Sequence, residues 1–345
     1  MQTKILKVEK VPSAAIAEAA EIIKAGGLVA FPTETVYGLG GNGIDAKASA
    51  GIYAAKGRPS DNPLILHVAD MAMLKLIAAE TTESAKKIIA AFCPGPVTVI
   101  LKRQPIVPLA ITGGLDTVGI RMPDNDVARE LIRLAGVPIA APSANISGRP
   151  SPTTAEAVAR DLDGKIECIL DGGPCSFGVE STIVDCTGDV PTVLRPGAVT
   201  MEMLHEVLGE VRLDPALVGA DSVPKAPGMK YTHYAPKAPL TLLEGEKEKM
   251  AAAFSREIKS LEAAGKTVGI IVSHEVDAVL QHSPSVVYGN QGDLETIAAN
   301  LYEALRAFDD KPVNVLLAEG TEENGIGLAV MNRLHKASGF RTIHV

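Results

Sequence analysis

Tryptophan is absent from this 345-residue sequence, and aromatic residues make up only 3% of it. So sparse a set disfavours a stacking platform that reads single-stranded nucleic acid. An excess of positive charge is missing too. Lys and Arg total 33 against 41 Asp and Glu, a net charge of −8. Chains whose work is gripping a phosphate backbone lean basic, so tight nucleic-acid binding by the whole surface is not expected. A local basic pocket survives that argument. The four cysteines, Cys93, Cys168, Cys175 and Cys186, form no CxxC pair and sit at no zinc-ligand spacing, so buried or idle thiols are expected. No apolar run approaches the roughly 18 residues of a membrane span. The first residues, MQTKILKVEK, carry charge with no apolar stretch behind it, so no secretory signal is read there and a cytoplasmic protein is expected. No P-loop signature occurs, so any nucleotide is held in another way.

What is present is ordinary globular usage, 46% hydrophobic and 21% charged, in a chain long enough for about two domains. Residues 13 to about 210 alternate helix and strand. Ser13 and Asp45 stand as N-caps before helical runs, and LVAFP, PLILHV, VTVILK, TVGIRM and PIAAP read as strands. Several strands follow one another with no helix between, which implies a mixed sheet rather than a doubly wound parallel one. The Pro-rich stretch 211–239 reads as a linker. Its Met229–Tyr234 cluster suits either a strap over a ligand or plain anchoring on a surface. From 240 to 345 strands and helices alternate regularly, as in a small α/β domain with a mostly parallel sheet. No catalytic constellation is visible there.

The motifs lie in the first 200 residues. Gly38–Gly43 fits GxGxxG, but Thr33–Tyr37 separate it from the preceding strand and Asp45 delays the helix. The dinucleotide reading therefore fails, and the glycines are assigned to a tight turn. Thr33-Glu34-Thr35 leaves a strand end, either as ligand contacts or as a turn cluster. Lys56 and Arg58 put two cations on a Gly/Pro-shaped loop. They either hold polyphosphate oxygens or complement a helix C-terminus. His67, inside an apolar strand, reads as a satisfied core histidine or as a ligand group. Arg121 ends an apolar strand and needs an anion. Ser143 and Asn145 stand one strand period apart. Glu180-Ser181-Thr182 and Arg195 add hydroxyls and a cation. Four cations and several hydroxyls at strand ends of an acidic protein point to an anionic ligand.

Taken in order, FPTETVYGLG (31–40), KGRPSDNPL (56–64), GIRMP (119–123), APSANISG (141–148), GVESTIVD (178–185), LRPG (194–197) and PGMKYTHYAP (227–236) resemble the threonylcarbamoyl-AMP synthase family in its long form. The resemblance spans the chain. It implies a YrdC-like α/β catalytic domain, α+β-like with a mixed twisted sheet, over 1–210. It also implies a linker or lid over 211–239 and a small Rossmann-like α/β domain over 240–345. The implied reaction joins L-threonine, bicarbonate or CO2, and ATP into threonylcarbamoyl-AMP and pyrophosphate, with Mg2+ held by the ATP phosphates and no protein metal site. The product would serve threonylcarbamoyladenosine modification of tRNA, through transient contact with the tRNA threonylcarbamoyl-transferase complex. No membrane is involved.

By the same resemblance Lys56, Arg58, Asn62, Thr117, Ser143, Asn145, Ser151, Arg195 and Tyr234 contact ATP. Lys56, Arg58 and Arg195 stabilise the phosphates during catalysis. Thr35, His67, Arg121, Ser181 and the backbone near Ala141 bind threonine. The acceptor of the threonine amine proton stays open between water, a phosphate oxygen and His67. Rival readings are a non-catalytic RNA-binding module, another carbamoyl-transfer enzyme and a nucleotide-binding regulator.

Overall fold

The computed structural model describes residues 2–218 and 233–345. They fall into two units: 2–147 with 151–218, and 148–150 with 233–345.

The first unit is built on one mixed sheet. Its strands are β1 (Lys4–Lys7), β2 (Val29–Phe31), β3 (Gly38–Asn42), β4 (Ile65–His67), β5 (Val97–Lys102) and β6 (Thr117–Arg121), followed by β7 (Ile139–Ala140), β8 (Cys168–Asp171), β9 (Thr182–Asp185), β10 (Thr192–Arg195) and β11 (Arg212–Leu213). Their spatial order is β1-β8-β2-β3-β7-β4-β6-β5-β9-β10-β11. Parallel pairs such as β4 with β6 stand beside antiparallel ones such as β5 with β6, so the expected mixed sheet is present. Alternation along β2 sends Val29 and Phe31 into one apolar layer and Ala30 into the other. The first layer is closed by helix Ala14–Lys24, through Ile16, Ala19, Ala20 and Ile23, and by Leu131 and Ile132 of helix Asp126–Ala135. The second takes Leu39, Ile52, Leu66, Val99 and Ile120.

Local chemistry sets the ends of the helices that matter for the site. Ser13, Asp45, Thr82 and Thr154 each accept a backbone N–H at a helix start through the side chain. Helix Ala46–Lys56 stops at Gly57, whose φ of 60° is left-handed. That stop leaves Lys56 as the last helical residue and turns the chain into the Arg58 loop.

The glycine-rich segment is not a tight turn. Gly38–Asn42 is a strand paired antiparallel with both β2 and β7. The physical reason is crowding. A Cβ on Gly40 would lie 2.8 Å from Ile139 Cγ2 and 2.8 Å from Phe31 Cε1. Only a residue without a side chain fits at Gly40 between these neighbours. Arg212–Leu213, expected in the linker, forms an edge strand on β10.

The second unit is a five-stranded all-parallel sheet of β12 (Leu240–Glu244), β13 (Val268–Ser273), β14 (Ser285–Gly289), β15 (Val315–Glu319) and β16 (Thr342–His344). The order is β14-β13-β15-β12-β16, with helices on the crossovers. Leu243, Phe254, Ile270, Val272 and Leu317 form its core. Among the described residues no helix is long and apolar enough to cross a membrane.

Candidate active site

The site is assembled from loops and strand ends of the first unit. Lys56, at the last turn of its helix, is 2% exposed. Its Nζ donates to the Ser143 carbonyl at 2.5 Å and to the carbonyl of Asn145, and lies 3.5 Å from Asn145 Oδ1. Ser143 Oγ donates to the same Oδ1 at 2.5 Å. The ammonium thus fixes the turn that follows β7, and the Lys and Ser-x-Asn motifs, 87 residues apart, form one cluster. Arg58 is tied to its own loop, donating to the carbonyls of Asn62 at 3.5 Å and Pro63 at 3.1 Å. The buried hydroxyl of Tyr53 supports that loop, donating to the Asn62 carbonyl at 3.1 Å. Burial pushes the Tyr53 phenol up to about 12, so it remains a donor.

A second cluster surrounds Arg121, the last residue of β6. In register Arg121 stands beside His67 on one side and Thr98 on the other. Its NH2 lies 2.8 Å from Glu34 Oε2, and both side chains are almost fully buried. The contact is close but misaligned for a hydrogen bond. Both Glu34 oxygens, and Nε and NH2 of Arg121, lack hydrogen-bond partners, as does His67 Nδ1. Buried polar atoms are ordinarily satisfied, so three such side chains together mark a place for a polar ligand. His67 leaves Nδ1 open, while its ring also interacts with the backbone of Ile65 and Ile139. Burial, with the Arg121 cation adding, pushes its pKa down to about 3 and holds the ring neutral. Burial raises the Cys93 thiol to about 11, with Arg121 and Glu34 acting on it in opposite directions.

The third cluster joins residues expected to serve different ligands. Arg195 donates from Nε to the Ser181 carbonyl at 3.0 Å and from NH2 to Ser181 Oγ at 3.1 Å. Ser181 Oγ is 2.8 Å from Thr98 Oγ1. Thr98 and Thr117 line one narrow hollow with Gly119 and Ile183. Next door, Ser151 donates to Glu180 at 2.5 Å. Thr35 is fully buried, 2.9 Å from Thr33 Oγ1, which accepts the backbone N–H groups of Thr35 and Val36. The turn reading and the ligand reading of this segment are thus compatible. Ala141 donates its N–H to the Ile65 carbonyl at 2.9 Å.

Tyr234 belongs to the second unit. There it stacks on Tyr302 with ring centroids 5.4 Å apart, and the Arg333 guanidinium lies 5.8 Å from its ring centre. Residues 219–232, including most of the expected strap, lie outside the described residues. The residues that sequence reasoning left without a role are Glu34, Thr98, Cys93 and Glu180. Glu34 and Glu180 stood in the motifs as carboxylates beside hydroxyls. Thr98 was a lone polar residue in an apolar strand. Among the described residues no group of three or more His, Cys, Asp or Glu side chains could hold a metal ion.

Two predictions arise here. A Cβ at Gly197 would lie 2.4 Å from Thr182 N and 2.6 Å from the Glu180 carbonyl. Gly197→Ala is expected to cost about 1–3 kcal/mol in denaturant unfolding and to impair activity by moving Ser181. The second concerns acid. An unfolded His67 takes a proton near pH 6.5, whereas the folded ring accepts one only near pH 3. Stability is therefore lost as pH falls through that window. His67→Gln is expected to flatten the acid limb of the stability profile.

Two family descriptions match the chain: Telomere recombination over residues 21–197, and Threonylcarbamoyl-AMP synthase, C-terminal domain, over residues 199–339. The chain is 51% identical over 339 residues to the threonylcarbamoyl-AMP synthase of Pyrococcus abyssi, covering 98% of each chain. It is 48% identical over 329 residues to that of Bacillus subtilis, covering 95% and 94%. The crystal structure of P. abyssi Sua5 complexed with L-threonine superposes with a TM-score of 0.95 at 50% identity, over 99% of this chain and 100% of that one.

Proposed function

Because the chain belongs to the threonylcarbamoyl-AMP synthase family, we infer that it makes threonylcarbamoyl-AMP, from L-threonine, bicarbonate and ATP, for tRNA modification. The observation that carries the reading is the nearly buried Arg121 guanidinium with unfilled hydrogen-bond capacity. It is suited to a small carboxylate. Thr35, His67 and Ser181 stand as the remaining polar contacts for the amino acid, beside the backbone at Ala141.

The nucleotide part uses the other clusters. Lys56 acts as a point charge, and Arg58 and Arg195 supply planar donors toward phosphate oxygens. Asn62, Thr117, Ser143, Asn145 and Ser151 provide neutral contacts, and Tyr234 belongs to the same proposed nucleotide set. The carbamate oxygen attacks the α-phosphate in line and pyrophosphate departs. The three cations stabilise the charge that develops. Much of the acceleration is positioning of small reactants. Mg2+ would travel with ATP, held by phosphate oxygens and water rather than by a protein cage. Cytoplasmic placement and transient contact with the transferase that consumes the adenylate belong to the same reading.

The test uses 13C-bicarbonate with ATP, L-threonine and the protein, followed by mass spectrometry. The expected product is threonylcarbamoyl-AMP carrying the label. An unlabelled product would reject bicarbonate as the carbon source, and no adenylate at all would reject the activity.

A further inference from the structure

The buried pair Glu34–Arg121 is an odd one. A carboxylate removed from water normally collects several hydrogen bonds, because its desolvation is otherwise uncompensated. Glu34 has a guanidinium nitrogen 2.8 Å from Oε2, yet neither oxygen accepts a hydrogen bond. Arg121 likewise has Nε and NH2 unfilled. The pair therefore offers an acceptor face and a donor face side by side, both nearly buried. An α-amino acid zwitterion has the complementary arrangement. Its carboxylate and ammonium branch from one carbon, and the ammonium carries three N–H donors and no acceptor.

Resting on the synthase reading above, we propose that Glu34 is a catalytic residue. It holds the ammonium of the amino-acid substrate and takes one of its protons when the nitrogen attacks bicarbonate. The step balances. The substrate N–C bond forms and one C–O bond of bicarbonate breaks. The ammonium loses two protons: one leaves with the departing hydroxyl as water, the other ends on Glu34. The products are the carbamate anion, water and a neutral Glu34 carboxyl.

The other titratable groups facing this pair are poor acceptors. His67, beside Arg121 in register, is held neutral and weakly basic by burial. Cys93 is a thiol raised by burial, already protonated at neutral pH. Glu180 already accepts the Ser151 hydroxyl. Glu34 is the carboxyl group that remains among these neighbours, with both oxygens open and Arg121 NH2 2.8 Å from Oε2. Its backbone carbonyl is used separately, accepting the Phe177 N–H at 2.9 Å, so a side-chain change leaves that anchor intact.

Glu34→Gln keeps the shape and removes the base. Threonine-dependent pyrophosphate release at neutral pH is expected to fall about 100-fold or more, with the KM for ATP little changed. The loss should shrink as pH rises and the substrate amine sheds its proton in water, a profile that a merely structural role would not give. The wild-type protein should bind L-threonine at least about tenfold more tightly than 2,3-dihydroxybutyrate, which lacks the amine, and Glu34→Gln should lose that preference. Should Glu34→Gln fail to fold, Glu34→Asp keeps the charge and is expected to retain partial turnover with the wild-type pH profile. Turnover of Glu34→Gln within about threefold of wild type would overturn the proposal, as would wild-type protein that binds the amine-free analogue as tightly as threonine. Wild-type protein with no threonine-dependent release would instead overturn the synthase reading itself.

Discussion

Lys56→Ala is expected to lower threonine-dependent pyrophosphate release by about 1,000-fold while the protein stays folded. Two effects add. The site loses a point charge meant for phosphate, and removing one preorganised electrostatic group from an active site costs about 100- to 1,000-fold. The turn 143–145 also loses its clamp, because Lys56 Nζ joins the carbonyls of Ser143 and Asn145. Two carbonyls then lack their donor, at about 1–3 kcal/mol each where water cannot enter. Lys56→Arg is not expected to restore turnover, since a planar fork cannot occupy the space of an ammonium that is 2% exposed. Circular dichroism and a thermal melt separate the two losses. Folded Lys56→Ala with turnover within tenfold of wild type would remove the residue from its assigned role.

Arg121→Ala is expected to abolish threonine binding and to leave ATP binding within a few-fold of wild type. The stability effect is as informative. The mutation strands the Glu34 carboxylate, which is only 6% exposed. Breaking one side of a buried pair typically costs about 3–5 kcal/mol. Adding Glu34→Gln removes the stranded charge, so the double variant is expected to be more stable than Arg121→Ala alone. That is coupling of the sign a double-mutant cycle reads directly. Additive losses would mean that the 2.8 Å contact contributes nothing to the fold.

Much of the architecture was legible in the sequence because it is set locally. Ser13 and Asp45 announce their helices through caps that the structure forms. The apolar runs around Val97–Lys102 and Thr117–Arg121 become adjacent strands. Non-local features were not legible. Strand β1 exists because Lys4–Lys7 pairs with Cys168–Asp171, more than 160 residues away. The glycines of β3 look like a turn until Phe31 and Ile139 are seen pressing on Gly40. The same holds for the site. The Lys, Arg, Ser and Asn motifs were visible as residue types. The Arg195–Ser181 contact was not, because it forms only where β10 pairs antiparallel with β9. Nor was the pairing of Glu34, a carboxylate between two threonines that reads equally as a ligand contact or as part of a turn. Its ion-pair partner, Arg121, arrives from another strand.

Pyrophosphate release from ATP and Mg2+, measured with and without L-threonine and bicarbonate, tests the synthase activity most directly. Release that requires both, and that falls sharply when L-serine replaces L-threonine, is the predicted result. Release indifferent to threonine from folded, ATP-binding protein would contradict it.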